Sequence, residues 1–119
     1  MLDITIKHAK EFSSWENSGQ FNYAGRDLGV TAWGMNLLKL PANWDKYPDH
    51  NHEADGQEEV YVVLEGSAKL EADGQTWELT PGTYVRAGAG QKRRIVPGDK
   101  GVTILAIGGT PGKAYEMRK

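Results

Sequence analysis

Glycine is the sequence feature that most restricts how this chain can fold. Fifteen of its 119 residues are glycine, which is about 13% against an average near 7%. Glycine destabilises helix interiors and is favoured in tight turns, and no segment of the chain carries a sustained helical period. Short apolar runs separated by turn residues are typical of sandwiches and barrels. We therefore predict an all-β fold of about nine short strands.

Local composition indicates where those strands lie. Residues 59–65 form a β-branched and aromatic run that stops at Gly66, the strongest strand pattern in the chain. Asp73-Gly74 suits a type I′ turn and predicts a hairpin of residues 67–72 and 75–79. The other predicted strands are a weak edge strand at 4–7, then 31–40, a short strand near 49–53, 84–87, 92–96 and 102–107, with a turn at Pro97-Gly98 between the last two. Residues 16–29 are predicted to be a turn-rich connection.

Length, charge and cysteine content exclude several classes of function. A chain of 119 residues is long enough for one domain, which we place at residues 1–119. The net charge of −2 is not the strongly basic balance of nucleic-acid-binding proteins. The absence of cysteine excludes disulfides, thiol catalysis and cysteine-ligated metals. Since no segment has the pattern of a signal peptide or a membrane span, we expect a cytoplasmic protein that binds neither nucleic acid nor membrane.

Two of the three histidines, His50 and His52, lie two residues apart. On a strand this spacing places both side chains on one face, with Cα atoms roughly 6–7 Å apart, so that both imidazoles can reach one ion. Neutral imidazole suits iron, nickel, copper and zinc, and an added carboxylate extends the choice to manganese. Glu59, on the next strand, is a candidate for that carboxylate. The third histidine, His8, is predicted to be solvated.

The run from His50 to Gly66 resembles the first motif of the cupin superfamily, G-x5-H-x-H-x3–4-E-x6-G. Glu59 and Gly66 keep the six-residue interval of that motif. The second cupin motif, G-x5-P-x-G-x2-H-x3-N, aligns without a gap on residues 82–97, with Gly82 and Gly90 at its glycine positions. The resemblance places motif 1 at about 44–66 and motif 2 at about 82–97. It implies a cupin-type double-stranded β-helix, a jelly-roll barrel with its pocket inside.

The first motif departs from the cupin pattern at two points. Trp44 stands at its leading glycine, and six residues separate His52 from Glu59, where the family has three or four. Counting from His52 therefore leaves Gln57, Glu58 and Glu59 competing for the ligand position. We favour Glu59, because its interval to Gly66 is kept and a turn at Asp55-Gly56 would absorb the additional residues.

The second motif departs at the position that matters most for chemistry. Gly88 replaces its proline, Pro97 replaces its asparagine, and Arg93 replaces the histidine that serves cupins as a further metal ligand. Arginine stays protonated and does not ligate metals as imidazole does. In the cupin register Arg93 points into the barrel, where a buried guanidinium requires an anionic partner. If its tip lay in solvent instead, it would have no part in the pocket.

Two arrangements would satisfy an inward Arg93. In the first, iron, manganese, nickel or zinc binds to His50, His52 and Glu59, and Arg93 binds an anionic substrate. In the second, Arg93 pairs with Glu59 directly and no metal is bound. The first implies a small-molecule enzyme of oxygenase or isomerase type. The second implies a metal-free domain that binds small molecules or serves a structural role.

Two further predictions concern the pocket and the partners. Besides Arg93, the residues predicted to contact a small-molecule ligand are Tyr61, Trp33, Met35 and Trp77, which lie on predicted strands. Val60, Val62 and Leu64 alternate with the inward positions of their strand and are nevertheless apolar. A strand that is apolar on both faces must be covered on both. Together with the frequent pairing of cupins, this predicts a homodimer.

Overall fold

Six antiparallel strands form the body of the protein in a computed structural model that describes residues 2–116. They are β1 (Phe21–Asn22), β2 (Gly34–Leu40), β3 (Glu58–Ala72), β4 (Gln75–Leu79), β5 (Tyr84–Ala87) and β6 (Arg94–Gly109). One short helix, α1 (Ala24–Leu28), and two 3-10 turns, Ala9–Glu11 and Trp15–Asn17, precede β2. The predicted all-β class is confirmed.

Strands β3 and β6 span the barrel and pair with each other along most of their length. The order across the sheet is β1-β2-β6-β3-β4, and β5 pairs with the first half of β3. The sequence divided each long strand into two shorter ones. The predicted turn at Pro97-Gly98 is wrong, because the backbone of β6 continues through these residues. Gly66 likewise bends β3 at a φ of 76° without ending it.

The remaining local predictions have mixed outcomes. The hairpin between β3 and β4 is confirmed, with Asp73 and Gly74 at φ angles of 52° and 73°. Residues 4–7 form no strand, and the short strand near 49–53 is reduced to a single β-bridge between His50 and Arg93. The connection at 16–29 contains β1 and α1, which the polar composition of this stretch did not indicate.

The core lies on the inward faces of the two long strands and their neighbours. Tyr61 and Val63 of β3 face Ala106 and Ile104 of β6 across the ladder, and all four are buried. The rest of the core comprises Leu38, Leu40, Tyr47, Ala68, Leu70, Leu79, Ala87, Ile95 and Val102. Because side chains alternate along a strand, Glu59 points to the same inward face as Tyr61. Within the described residues no helix is long and apolar enough to cross a membrane.

Candidate metal centre

Backbone pairing brings the two histidines to one end of the barrel. His50 and Arg93 exchange both backbone hydrogen bonds, at 3.0 and 2.9 Å, and the His52 N–H donates to the Ala89 carbonyl at 2.7 Å. The two imidazole rings stand almost perpendicular, with centroids 5.4 Å apart. Tyr47 lies against the other side of His50, at a centroid distance of 5.6 Å. The ring of His50 is therefore held between His52 and the core.

Each imidazole uses its Nδ1 atom for a contact with the protein. Nδ1 of His50 lies 3.1 Å from the Pro48 carbonyl oxygen, and Nδ1 of His52 lies 3.2 Å from both carboxylate oxygens of Asp55. The Nε2 atoms face Glu59, at 3.6 Å (His50) and 3.1 Å (His52) from its Oε1 atom. Fixing one ring nitrogen in this way orients the other, as is usual for metal-binding histidines.

The turn after His52 accommodates the residues that lengthen the first motif. Gly56 adopts a φ of 71°, and its N–H donates to the His52 carbonyl at 2.7 Å. The predicted turn at Asp55-Gly56 is thus present, and it brings Asp55 under the His52 ring. Because the turn absorbs the additional residues, Glu59 reaches the histidines in spite of the longer interval.

The three candidates for the carboxylate position lie in different surroundings. The carboxylate of Glu59 faces the histidines, whereas Glu58 points outward and accepts hydrogen bonds from Arg86. Gln57 lies at the edge of a cavity in front of the site. His50, His52 and Glu59 each offer one ligand atom, and these atoms lie within 4.8 Å of one another. The three side chains are therefore close enough together to hold one metal ion.

Arg93 lies inside the barrel, with 1% of its surface exposed. Its Nε donates to the Tyr61 hydroxyl at 3.2 Å, Nη1 to the carbonyls of Gly88 and Gln91 at 3.3 and 2.8 Å, and Nη2 to Glu59 Oε1. The inward orientation is as predicted, and the guanidinium pairs directly with Glu59. Protein acceptors take up all three nitrogens of Arg93, an arrangement that does not itself support binding of an anionic ligand. The anion-binding role that the sequence suggested for Arg93 therefore stays a prediction.

Electrostatics keep Glu59 ionised. Burial opposes its ionisation, but hydrogen bonds from His50 and Tyr61 and the charges of His52 and Arg93 outweigh burial and lower its pKa to about 2. The hydrogen bond to Glu59 raises the pKa of His50 against the effect of its own partial burial. Burial and the Glu59 charge raise the pKa of Tyr61 to about 12. The Tyr61 hydroxyl therefore remains a donor to Glu59, at 2.8 Å.

A cavity of about 360 Å³ opens in front of His52 and Glu59. Trp33 and Met35 line it, as the sequence predicted. Tyr61 lies beneath Glu59 and is fully buried, while Trp77 lies on β4 with 46% of its surface exposed; neither belongs to the lining. The other described lining residues are Trp15, Tyr23, Gly25, Arg26, Val30, Gly34, Asn36, Asp55, Gln57, Ala106, Gly108 and Tyr115.

The wall that sequence reasoning missed comes from the N-terminal third of the chain and from the tail. Gly25 lies so close to the Met35 backbone that a Cβ atom there would meet it at 3.1 Å, so α1 packs directly on β2. Likewise, a Cβ atom at Gly34 would meet the Tyr115 hydroxyl at 3.0 Å, so the Tyr115 side chain packs directly on the start of β2. The only sequence signal for these two contacts is the glycine at each of them, Gly25 and Gly34. A glycine indicates a close approach but does not identify the segment that approaches.

The donor set suits a divalent transition metal. Two imidazoles, which bind a metal in their neutral form, and one carboxylate give the 2-His-1-carboxylate combination, which leaves coordination positions open. Both histidines are oriented through Nδ1, and the ionised Glu59 supplies the negative charge. Two features conflict with a metal: Oε1 of Glu59 already accepts from Arg93 and Tyr61, and the positive charge of Arg93 lies next to the ligand set. A carboxylate has about four lone-pair positions on two oxygens, so these bonds do not exhaust its capacity as a ligand.

Comparison with protein families and solved structures gives consistent matches. The family model described as "Cupin domain" matches residues 36–108. A cupin protein from Bacteroides fragilis aligns with a TM-score of 0.73 at 21% identity, over 99% of this chain and 93% of that one. A search of curated proteins gave no match.

Two further structures carry a description of activity. A predicted oxalate decarboxylase from Thermotoga maritima aligns with a TM-score of 0.68 at 18% identity, over 87% of this chain and 97% of that one. A sugar phosphate isomerase from Silicibacter pomeroyi aligns with a TM-score of 0.67 at 24% identity, over 82% and 65%. At these identities the likeness concerns the fold alone, and it confirms the predicted jelly-roll architecture.

Proposed function

The chain belongs to the cupin family, and on that premise we propose that it binds a divalent transition metal at His50, His52 and Glu59 and acts there on a small molecule. The observation that carries the proposal is the convergence of both histidine Nε2 atoms on one carboxylate oxygen, at 3.6 and 3.1 Å. Their Nδ1 atoms are already engaged with Pro48 and Asp55. Iron, manganese, nickel and zinc all suit such a donor set.

The protein residues around the ion would each have a defined task. A bound ion would supply Lewis acidity and open coordination positions. Asp55 and the Pro48 carbonyl orient the imidazoles. Arg93 and Tyr61 hold Glu59 in place and keep it ionised. The cavity in front limits the ligand to a small organic molecule, in keeping with an oxygenase or isomerase type of reaction.

Metal content and metal-dependent stability test the proposal. We expect protein purified without chelator, or incubated with Fe²⁺, Mn²⁺, Ni²⁺ or Zn²⁺, to hold close to one ion per chain. An ion present at 100 times its Kd stabilises the fold by about 2.7 kcal/mol and raises the melting temperature by several degrees. His52→Ala should abolish both the bound metal and this rise.

His8→Ala is the matched control, because His8 is exposed and lies outside the site. It should leave metal binding unchanged. Less than about a tenth of an equivalent of metal in the wild type after incubation with each of the four ions would end the proposal, since a site of this kind binds its ion stoichiometrically.

A second candidate function is a metal-free domain that binds a small molecule. The direct contact between Arg93 and Glu59 favours it, because a guanidinium placed next to the ligand set repels a divalent cation. The metal measurements separate the two functions. Under the second, no ion binds and none of the four metals changes the melting temperature of either the wild type or His52→Ala.

A further inference from the structure

Arg26 is the only described residue lining the cavity that carries a permanent positive charge. It lies on α1, on the wall that also contributes Gly25, and it is exposed. The sequence offered Arg93 as the binding group for an anion, but the donors of Arg93 go to protein acceptors and its surface is 1% exposed. A negatively charged ligand in the cavity would therefore meet Arg26 and not Arg93.

The Arg26 guanidinium is held in position but not used up. Its Cζ lies 4.0 Å from the centroid of the Tyr23 ring, a stacking contact that fixes the plane of the group. Nη2 donates to the Ser13 hydroxyl at 3.1 Å, and Nε lies 3.7 Å from Asp27 Oδ1. A guanidinium has five N–H donors in a planar fork, so a free side of the fork can bind both oxygens of a carboxylate or phosphate.

The other residues that line the cavity restrict the size and chemistry of the molecule that carries the anionic group. Trp15, Trp33, Tyr23 and Tyr115 surround the cavity with aromatic surface. His52 and Glu59 lie at its inner end with Asp55, and Asn36 and Gln57 add amide groups. A volume of about 360 Å³ is at the small end of ligand sites in proteins. The cavity thus combines a cation on one wall, two carboxylates beside His52, aromatic faces and two amides in the space of one small organic molecule.

We propose that Arg26 binds the carboxylate or phosphate group of a small organic anion whose other end reaches His52 and Glu59. The inference rests on the proposed function for the role of the inner end, but the contribution of Arg26 to affinity does not require a bound metal. It assigns the ligand to a chemical class, organic anions up to the size of a sugar acid or sugar phosphate.

The experiment compares charged and neutral probes of one shape. Gluconate carries a carboxylate, glucose 6-phosphate carries a phosphate, and glucose carries neither. Binding is followed by ¹H–¹⁵N chemical shifts of the Zn²⁺-loaded and the chelator-treated protein. We expect at least one anion to bind about tenfold more tightly than glucose, since hydrogen bonds to charged groups are among the strong ones. The better of the two anions identifies whether the site prefers carboxylate or phosphate.

Variants of Arg26 decide whether this preference arises there. Arg26→Gln should remove the preference for the anion, and Arg26→Lys, which keeps the charge but not the fork, should keep part of it. Arg86→Gln is the control, because Arg86 pairs with Glu58 outside the cavity. Equal affinities of wild type for anions and glucose, or an anion preference that survives in Arg26→Gln, would overturn the inference. Zinc binding measured on the same samples reports on the proposed metal site separately.

Discussion

At the scale of single residues, the Glu59 carboxylate is the point on which the site depends. Its Oε1 atom accepts from Tyr61 at 2.8 Å and from Arg93, and both histidine Nε2 atoms face it. The charge of Arg93 is balanced by this carboxylate, since the other guanidinium partners are a hydroxyl and two backbone carbonyls. Glu59 thus serves the fold through Arg93 and the proposed metal through the histidines.

This double role predicts that neutralising Glu59 costs stability even when no metal is present. Glu59→Gln leaves the buried Arg93 without a counter-charge, which typically destabilises a protein by about 3–5 kcal/mol. Tyr61→Phe removes one donor and one acceptor but no charge, and should cost about 1–3 kcal/mol. Urea unfolding in the presence of chelator measures both changes.

The exposed pair of Lys69 and Glu78, 3.8 Å apart, supplies the control for these two variants. Glu78→Gln should change the free energy of unfolding by about 1 kcal/mol or less. If Glu59→Gln were no more destabilising than Glu78→Gln, Glu59 would not be the counter-charge of Arg93.

The residues of the site differ in how far sequence could reveal them. His50, His52 and Glu59 could be found, because strand alternation and the interval to Gly66 act within a few residues. Asp55 under His52 depends on the geometry of one turn. Arg26 reaches the cavity only because α1 folds onto β2 across Gly25, and periodicity carries no information on such a contact. Conversely, Trp77 fits the pattern of a pocket residue but lies on β4, away from the cavity.

At the scale of elements, the long strands β3 and β6 contain glycines that local sequence patterns assign to strand ends. Gly66 and Gly101 have φ angles of 76° and 75°, values that normally mark the end of a strand. Here they face each other where the two strands bend, and pairing resumes beyond them after register shifts. The apolar runs and the hairpin at Asp73-Gly74 were predictable, because they are local. Whether a glycine ends a strand or bends it depends on the partner strand.

The bend predicts unequal costs for two glycine-to-alanine substitutions. A Cβ atom at Gly66 would overlap the Gly101 carbonyl oxygen, whereas one at Gly74 has no atom within 4 Å. Both positions have positive φ, which costs an L-residue about 1–2 kcal/mol. Gly74→Ala should cost about that amount and Gly66→Ala clearly more, about 3 kcal/mol or above. Chemical denaturation of both variants gives the comparison, and equal costs would contradict close packing at the bend.

Asp27, which attaches α1 to Ser13 by hydrogen bonds, predicts that the free energy of unfolding depends on pH. Slight burial opposes ionisation of Asp27, but hydrogen bonds from the Ser13 N–H and hydroxyl, and the charges of Arg26 and Lys7, lower its pKa below its usual 3.8. A carboxyl group with a lowered pKa in the folded state stabilises the fold above its unfolded pKa, and this contribution is lost as the pH falls through the folded pKa. Asp27→Asn should therefore be less stable than wild type at pH 6, and the difference should shrink below pH 4. Urea midpoints at pH 6, 4 and 3 measure it, and a difference independent of pH would show that Asp27 acts through packing alone.

At the scale of the whole molecule, the two faces of the long strands differ in what they contact. The inward residues of β3 and β6 fill the barrel and end at Glu59, while Val60, Val62 and Leu64 cover its outside. Sequence alternation predicted both faces and therefore a need for covering on each. It did not indicate what covers the outer face, where Leu64 is 47% and Tyr84 is 74% exposed.

If a second copy covers this outer face, as in the predicted homodimer, thermal stability must depend on protein concentration. Dissociation accompanies unfolding of a dimer, so a hundredfold rise in concentration contributes about 2.7 kcal/mol and should raise the melting temperature by about 5–10 °C for a dimer of this size. Tyr84→Lys places a charge on this face, opposite Val62, and should remove this dependence. Thr76→Lys, on the exposed side of β4, should preserve it. Calorimetric scans between about 10 μM and 1 mM compare the three proteins. A wild-type melting temperature that does not change over this range would mean that the outer face of β3 is not covered by a second copy.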